Sequence, residues 1–396
     1  MATPVSCGKI VYKPLVIIYS CGPAHSHSPL RENPMDTLAS TPLRTEHERL
    51  NALMAPFGGW NMPIQYEGII AEHRWCREKA ALFDICHMGE FLFTGDIVAD
   101  GLEDVFTFSV ASIPVGRSRY GFLLNGDGGI MDDLIVFRLA QNEAMVVVNA
   151  ATIGKDFAAI SARLGGGGFR DISAATAKLD LQGPLSREVL VEVIGPEVAA
   201  IPYFKFIRTR VLGADAIVSR TGYTGELGYE IFLPSDQVVE LWQRLLADPR
   251  VRPAGLGARD VLRLEVGYSL YGSDIDESTT PLEAGLEAFV SFDKSFVGKD
   301  ALLARRAEGV MRRRVAFQVA SRRSPRHDYE ILFQGEQVGV VTSGVFSPML
   351  GCGIGLGYVT PGTAVPGAPL TIRHERVSMD ATVVDAPFYR GGSLRA

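Results

Sequence analysis

Two apolar runs, Arg119–Leu124 and Ile130–Phe137, are separated by Asn125-Gly126-Asp127-Gly128-Gly129. Asn-Gly and Asp-Gly between alternating segments are strong hairpin signals, because both tolerate the left-handed backbone a tight turn needs. The two runs are therefore antiparallel neighbours in a sheet. Helical spacing surrounds this hairpin at Thr45–Leu53, Ile69–Ala81, Ile153–Leu164, Gln237–Leu246 and Ala258–Leu270. Short apolar segments at Ala144–Val148, Leu179–Gln182, Arg210–Ser219 and Tyr229–Leu233 read as strands. The fold class is thus α/β (α+β), with helices and strands interleaved over most of the chain.

Residues 313–391 differ: they are strand-rich, with turns at Gln334-Gly335, Ser347-Pro348 and Thr360-Pro361-Gly362. A single core stops growing at about 250–300 residues, so a chain of 396 is expected to divide. The expected division is a body at 41–300, a charged helical linker at 301–312 and a β-rich domain at 313–391. Residues 1–40 hold five prolines and two of the five cysteines, and read as a disordered leader or a start misplaced upstream of Met35. The apolar run Pro14–Tyr19 is too short to span a bilayer, which takes about 20 residues, so no membrane association is expected. With 39 Lys and Arg against 45 Asp and Glu, the chain has a net charge of −6 and lacks the basic surface of a nucleic-acid binder. No two cysteines are spaced as C-x-x-C and there is no H-E-x-x-H, so neither a disulfide framework nor a metal is expected. Scattered thiols suit a reducing, cytoplasmic setting. The glycines at 351–357 lack the dinucleotide fingerprint, and alternating glycines in a strand mark close backbone approach.

Three segments carry candidate chemistry. In Ile130–Phe137, alternation places Asp133 with Met131, Ile135 and Phe137, and Asp132 with Leu134 and Val136 on the other face. Each acid has apolar company, where a bare carboxylate is costly without a partner. An ordinary aspartate value of about 3.9 keeps Asp133 ionised near neutrality unless burial raises it. In Ser219–Glu230, glycines at 222, 225 and 228 shape a loop between strands, and Glu230 shares a face with Phe232. In Gly255–Glu265, Arg259 lies in the first turn of a helix, where the dipole disfavours a cation. Either its partner is an anion, a carboxylate of the protein or a ligand, or it is a plain surface arginine, with Asp260 and Arg263 pairing at i,i+3.

Taken together, these segments resemble the aminomethyltransferase (T-protein) family of the glycine cleavage system. The matching stretches are 57–63 (FGGWNMP), 83–91 (FDICHMGEF), 125–137 (NGDGGIMDDLIVF), 148–150 (VNA), 182–184 (QGP) and 219–230 (SRTGYTGELGYE). They continue with 254–265 (AGLGARDVLRLE), 270–277 (LYGSDIDE), 296–302 (FVGKDAL), 342–351 (TSGVFSPMLG) and 387–391 (PFYRG). The resemblance implies a three-lobed folate-binding body, with ferredoxin-like αβ subdomains around a central channel, and a C-terminal β-barrel-like domain. It implies tetrahydrofolate as co-substrate and lipoylated H-protein as partner. The methylene of an aminomethyl group passes from the lipoyl arm to folate, ammonia leaves, and 5,10-methylenetetrahydrofolate forms.

By the same resemblance, Asp133 matches the catalytic aspartate and Glu230 the carboxylate that accepts the pterin amino and ring N–H groups. Arg259 and Arg390 match positions suited to the anionic glutamate tail, and Met88, Asn149, Tyr223 and Tyr268 match folate-contacting or channel-lining positions. Two positions depart from the family pattern: Cys86 stands where serine is usual, and Phe137 where tyrosine often occurs, which removes a hydroxyl. Arg322, Arg323 and Arg326 form a basic cluster, either a docking face for an acidic partner or a solvated surface. The alternative within this fold is a tetrahydrofolate-dependent demethylase; the intact GYTGE and GLGARD segments favour aminomethyl transfer.

Overall fold

The computed structural model describes residues 38–395 apart from Ala364, so the leader reading falls almost wholly outside the described residues. Its last residues are an exception. Ala39–Ser40 form a strand paired in parallel with Trp60 and Asn61, so the ordered body begins before residue 41.

Two sheets organise the centre of the molecule. The first is antiparallel, in the order Ser118–Leu124, Ile130–Ala140, Glu143–Val148, Gly89–Thr94, Gly168–Asp171. The expected hairpin is its edge, with Phe122 opposite Asp133 and Tyr120 opposite Ile135. The second has the order Phe206–Val211, Ala214–Ser219, Gly228–Pro234, Thr176–Gln182, Ala80–Asp84, Val251–Pro253, and only its last pair is parallel. Each sheet has a helix-covered face built by simple periodicity. Val238, Leu241, Trp242 and Leu245 recur at helical spacing on Val238–Leu246 and meet Ala177, Leu179, Leu181, Ile231 and Leu233. Ile153, Phe157 and Ile160 of the helix Ile153–Arg163 meet Phe91, Leu134, Val136 and Val146.

The opposite faces of the two sheets meet each other. Phe137, Leu139, Met145 and Val147 of the first sheet pack against Phe206 and Phe232 of the second. Phe137 is fully buried there, with the Phe232 ring 5.3 Å away edge-on, so its missing hydroxyl falls in an apolar layer. This inter-sheet layer determines which side chains can share one site.

Residues Arg313–Val384 hold a closed six-stranded barrel, in the order Arg313–Val319, Cys352–Val359, Glu336–Ser347, Glu330–Phe333, Pro369–His374, Val377–Val384. The alternating glycines lie in its Cys352–Val359 strand. A Cβ on Gly355 would stand 2.5 Å from the Phe317 ring, so the strand needs glycine to pass the barrel core. The barrel braces the body through buried bonds: Arg263 Nη2 to Ser343 Oγ (2.8 Å) and Tyr358 Oη to Asp274 O (2.8 Å).

Several element bounds differ from the expectation. Arg210–Ser219 is not one strand: Leu212 (φ 53°) and Gly213 (φ 83°) form a two-residue turn joining Phe206–Val211 to Ala214–Ser219. Apolar alternation runs straight through such a turn and conceals it. The helix from 258 is Leu256–Glu265, ending where Gly267 takes a left-handed φ of 76°. Arg44–Arg49 and Ile69–Glu78 end earlier than read, each giving way to a strand, Leu53–Phe57 and Ala80–Asp84.

Candidate active site

The polar end of the inter-sheet layer begins at the hairpin. Asp133 points inward from Ile130–Ala140, half-buried, and accepts the Tyr120 hydroxyl on Oδ2 at 3.0 Å and the Asn149 side-chain amide on Oδ1 at 2.9 Å. Burial lifts its carboxyl to about 7, with the Asp132 charge adding to the rise and the bonds from Tyr120 and Asn149 opposing it. The expected ionised carboxylate is therefore a group balanced between its two charge states at neutral pH. Asn149 follows the Glu143–Val148 strand and joins both acids, donating from Nδ2 to Asp132 Oδ1 at 2.8 Å as well.

From the second sheet, Thr176–Gln182 places Ala177, Leu179 and Leu181 in the helix-covered core, so Lys178, Asp180 and Gln182 share the inner face. Asp180 pairs in register with Glu230. Glu230 is buried and accepts the Thr221 hydroxyl. Gln182 explains the glycines of the 219–230 loop: a Cβ on Gly222 or Gly228 would come within 2.1 or 2.0 Å of its amide nitrogen. Wedged there, it accepts from Thr224 Oγ1 at 2.6 Å and donates to Asp180 Oδ1 at 2.6 Å.

Arg259 has its anion within the protein: Nη1 donates to Asp180 Oδ2 at 2.6 Å, and the guanidinium lies 5.1 Å from the Tyr223 ring centre. Burial holds Asp180 up at about 6 even against the pull of this cation, with Glu230 adding repulsion. Tyr223 stacks on Tyr268 at 5.7 Å and donates its hydroxyl to Ser269 O, and Arg314 of the barrel binds the Ser269 hydroxyl. Burial raises the Tyr120 and Tyr223 hydroxyls, and the charge of Asp133 adds to the rise at both. Met88 packs between the inner faces, with its sulfur 3.3 Å from the buried Lys178 Nζ. Lys178 is 4.0 Å from Glu90, whose carboxyl burial pushes up to about 8 despite that ammonium.

Of the eight residues singled out from sequence, Asp133, Asn149, Tyr223, Glu230, Arg259, Tyr268 and Met88 line this shared layer. Arg390 does not join them through any contact among the described residues; it stands exposed beside Tyr389, which packs on Arg77 at 4.6 Å. Sequence reading missed Tyr120, Lys178, Asp180 and Glu90. A signal for two of them was present: polar residues at period two in the otherwise apolar strand 176–182 mark a functional inner face. A surface cleft of about 350 Å³ lined by Gly126 and residues 295–301 shares none of these residues. Among the described residues, no group of three or more His, Cys, Asp or Glu side chains is arranged to hold a metal.

This architecture, an α/β body with a C-terminal barrel, is that of a known family. Residues 43–294 match the model of the GCVT N-terminal domain, and residues 312–390 that of the glycine cleavage T-protein C-terminal barrel domain. The chain belongs to the glycine cleavage T-protein family. It is 45% identical to the aminomethyltransferase of Halothermothrix orenii over 89% of this chain and 100% of that one. It is 41% identical to that of Thermotoga maritima, over 90% and 99%. The solved glycine cleavage system aminomethyltransferase T from Bartonella henselae superposes with a TM-score of 0.83 at 34% identity, covering 89% of this chain and 98% of that structure.

Proposed function

We propose that this protein is the aminomethyltransferase of the glycine cleavage system, taking the methylene of aminomethyl-dihydrolipoyl H-protein to tetrahydrofolate. What supports this reading is the set of full-length relatives of that name, together with Asp133 and Glu230 standing on the facing inner sides of two packed sheets, beside Phe137 and Phe232 respectively. Glu230 is the acceptor for the paired amino and ring N–H donors of the pterin, a bidentate match for a carboxylate. Asp133 is the proton carrier. In the net reaction the carbon–sulfur and carbon–nitrogen bonds of the donor break, and two bonds form from carbon to folate nitrogens. Those nitrogens lose two protons, and the departing sulfur and nitrogen take one each, leaving as thiol and ammonia. A carboxyl near 7 passes such a proton with little bias at neutral pH. Its charged form also stabilises the iminium-like species formed on the way.

Arg259 and Tyr223 wall the site, with Tyr268 behind Tyr223. Arg259 directs its remaining donors toward an anionic folate tail, and Arg390 is assigned to the entrance rather than the interior. Residues 41–300 supply the binding body, and the barrel braces the loop at Ser269. The exposed Arg322, Arg323 and Arg326 are a solvated surface in this reading. The three cysteines among the described residues are unpaired, which suits action in the cytoplasm, and no helix among those residues is long and apolar enough to cross a membrane. The test is direct: incubation with aminomethyl-lipoyl H-protein and tetrahydrofolate yields ammonia and methylenetetrahydrofolate in equal amounts. Inactivity there, with turnover of a methylated donor, overturns it.

A further inference from the structure

Behind the catalytic strand lies a second carboxyl pair. Asp132 points away from the site into the helix-covered core, fully buried, and accepts Asn149 N at 3.0 Å and Asn149 Nδ2 at 2.8 Å. Against it lies Asp156, from the first turn of Ile153–Arg163 and also fully buried. Neither Asp156 oxygen makes a full hydrogen bond, the Thr152 hydroxyl beside it being turned to Asn149 O.

The neighbouring donors are engaged elsewhere. Lys155 Nζ binds Met131 O (2.9 Å), Tyr271 Oη (3.0 Å) and Glu277 Oε1 (2.6 Å). Arg163 donates to Leu124 O (2.6 Å), and Thr152 Oγ1 to Asn149 O (2.9 Å). Two carboxylates touching in an apolar layer with no cation between them repel strongly. One proton turns that contact into an O–H···O bond.

We propose that Asp132 and Asp156 share a single proton, and that this pair, acting through the Asn149 amide, positions Asp133 and sets how readily it changes charge. Asp156 is then a positioning residue 23 positions away from the residue it serves and on a different element. The chain of contacts is continuous. Asp156 meets Asp132, Asp132 holds Asn149 by two bonds, and Asn149 Nδ2 holds both the side chain and the backbone oxygen of Asp133. The shared proton also limits charge: without it, three carboxylates would crowd one buried spot. Burial raises both partners of the pair, Asp156 to about 6.

The other groups facing Asp133 are Tyr120 from the adjacent strand and Tyr223 from the 219–230 loop, with Arg314 of the barrel beside Tyr120. Those around Asp156 are Lys155 and Arg163 of its own helix, with Tyr271 and Glu277 behind Lys155. Thr152 lies beside both Asp156 and Asn149, but its hydroxyl reaches Asn149 at the carbonyl oxygen and not at the side-chain amide that holds Asp133.

The proposal rests on the assignment of Asp133 above, and its test has an arm independent of it. With aspartate carboxyls isotope-labelled, infrared spectroscopy of the folded protein at a pH of about 9, above the range in which Asp133 titrates, should show one un-ionised carboxyl. Asp156→Asn should abolish that band, because the new amide donates to Asp132 and leaves it ionised. Absence of the band in the unmodified protein overturns the proposal, whether or not aminomethyl transfer is observed.

The second arm is the pH profile of kcat. Asp156→Asn places a full charge on Asp132 and should move the acidic limb to higher pH. Asp156→Leu leaves Asp132 alone and neutral and should move it to lower pH, each by roughly 0.5–1 unit. A merely structural role lowers kcat without moving the limb, and limbs unmoved in both variants overturn the proposal.

Discussion

Tyr120→Phe removes one hydroxyl and tests how Asp133 is tuned. That hydroxyl donates to Oδ2 at 3.0 Å, so it favours the charged carboxylate. A hydrogen bond to a charged group is worth about 1.5–3 kcal/mol, and one pKa unit corresponds to about 1.4 kcal/mol. Losing the bond therefore raises Asp133 by roughly 1–2 units. Starting from about 7, the carboxyl moves to the region of 8–9. The ionised fraction at pH 7 falls from about one half to between about one tenth and one hundredth, so turnover there drops roughly 5- to 50-fold. The loss is recovered in alkaline buffer, where both proteins are ionised. The assay is single-turnover release of ammonia from aminomethyl-lipoyl H-protein across a pH series. A uniform loss at every pH, or a limb displaced toward acid, refutes the reasoning, since either means that the hydroxyl does not stabilise the charged form of Asp133.

Asp133→Asn keeps the shape and removes the charge, so turnover should fall by roughly 10²–10⁴-fold, with tetrahydrofolate affinity by calorimetry little changed. Glu230→Gln should act on binding instead, raising the folate dissociation constant by roughly 10- to 150-fold for a loss of about 1.5–3 kcal/mol; an unchanged titration removes Glu230 from the pterin site. Arg259→Ala leaves Asp180 buried without its cation, so it should lower the melting temperature as well as the folate affinity. Because that ion pair is largely shielded from solvent, 0.5 M or so of salt should not reproduce the change; a variant with unaltered melting and affinity returns Arg259 to the surface.

The residues that recognition by pattern could reach are those whose meaning is local. Alternation in 130–137 separates Asp132 from Asp133, and the structure shows the two on opposite faces, one toward a helix and one toward the second sheet. The glycines at 222 and 228 marked an irregular loop, but their cause, a glutamine from another strand, lies 40 and 46 positions away and has no local trace. Arg259 called for an anion by its place on the helix, yet whether that anion was protein or ligand depended on Asp180, 79 residues earlier. Tyr120 carries no such local mark, because tyrosine in a half-buried strand is ordinary packing unless its hydroxyl meets a carboxylate, as here.

Residue order alone decides the hairpin at 125–129, the helix faces and the strand-only tail, because turns and amphipathic periods are short-range properties of the backbone and its neighbours. Residue order does not decide the charge on Asp133. That value arises from the removal of most of its water and from Asp132, Tyr120 and Asn149 arriving at fixed distances, and no local segment contains those conditions. The meeting of the two inner faces through Phe137, Phe206 and Phe232 creates that low-dielectric layer, and desolvation is a property of the assembled fold.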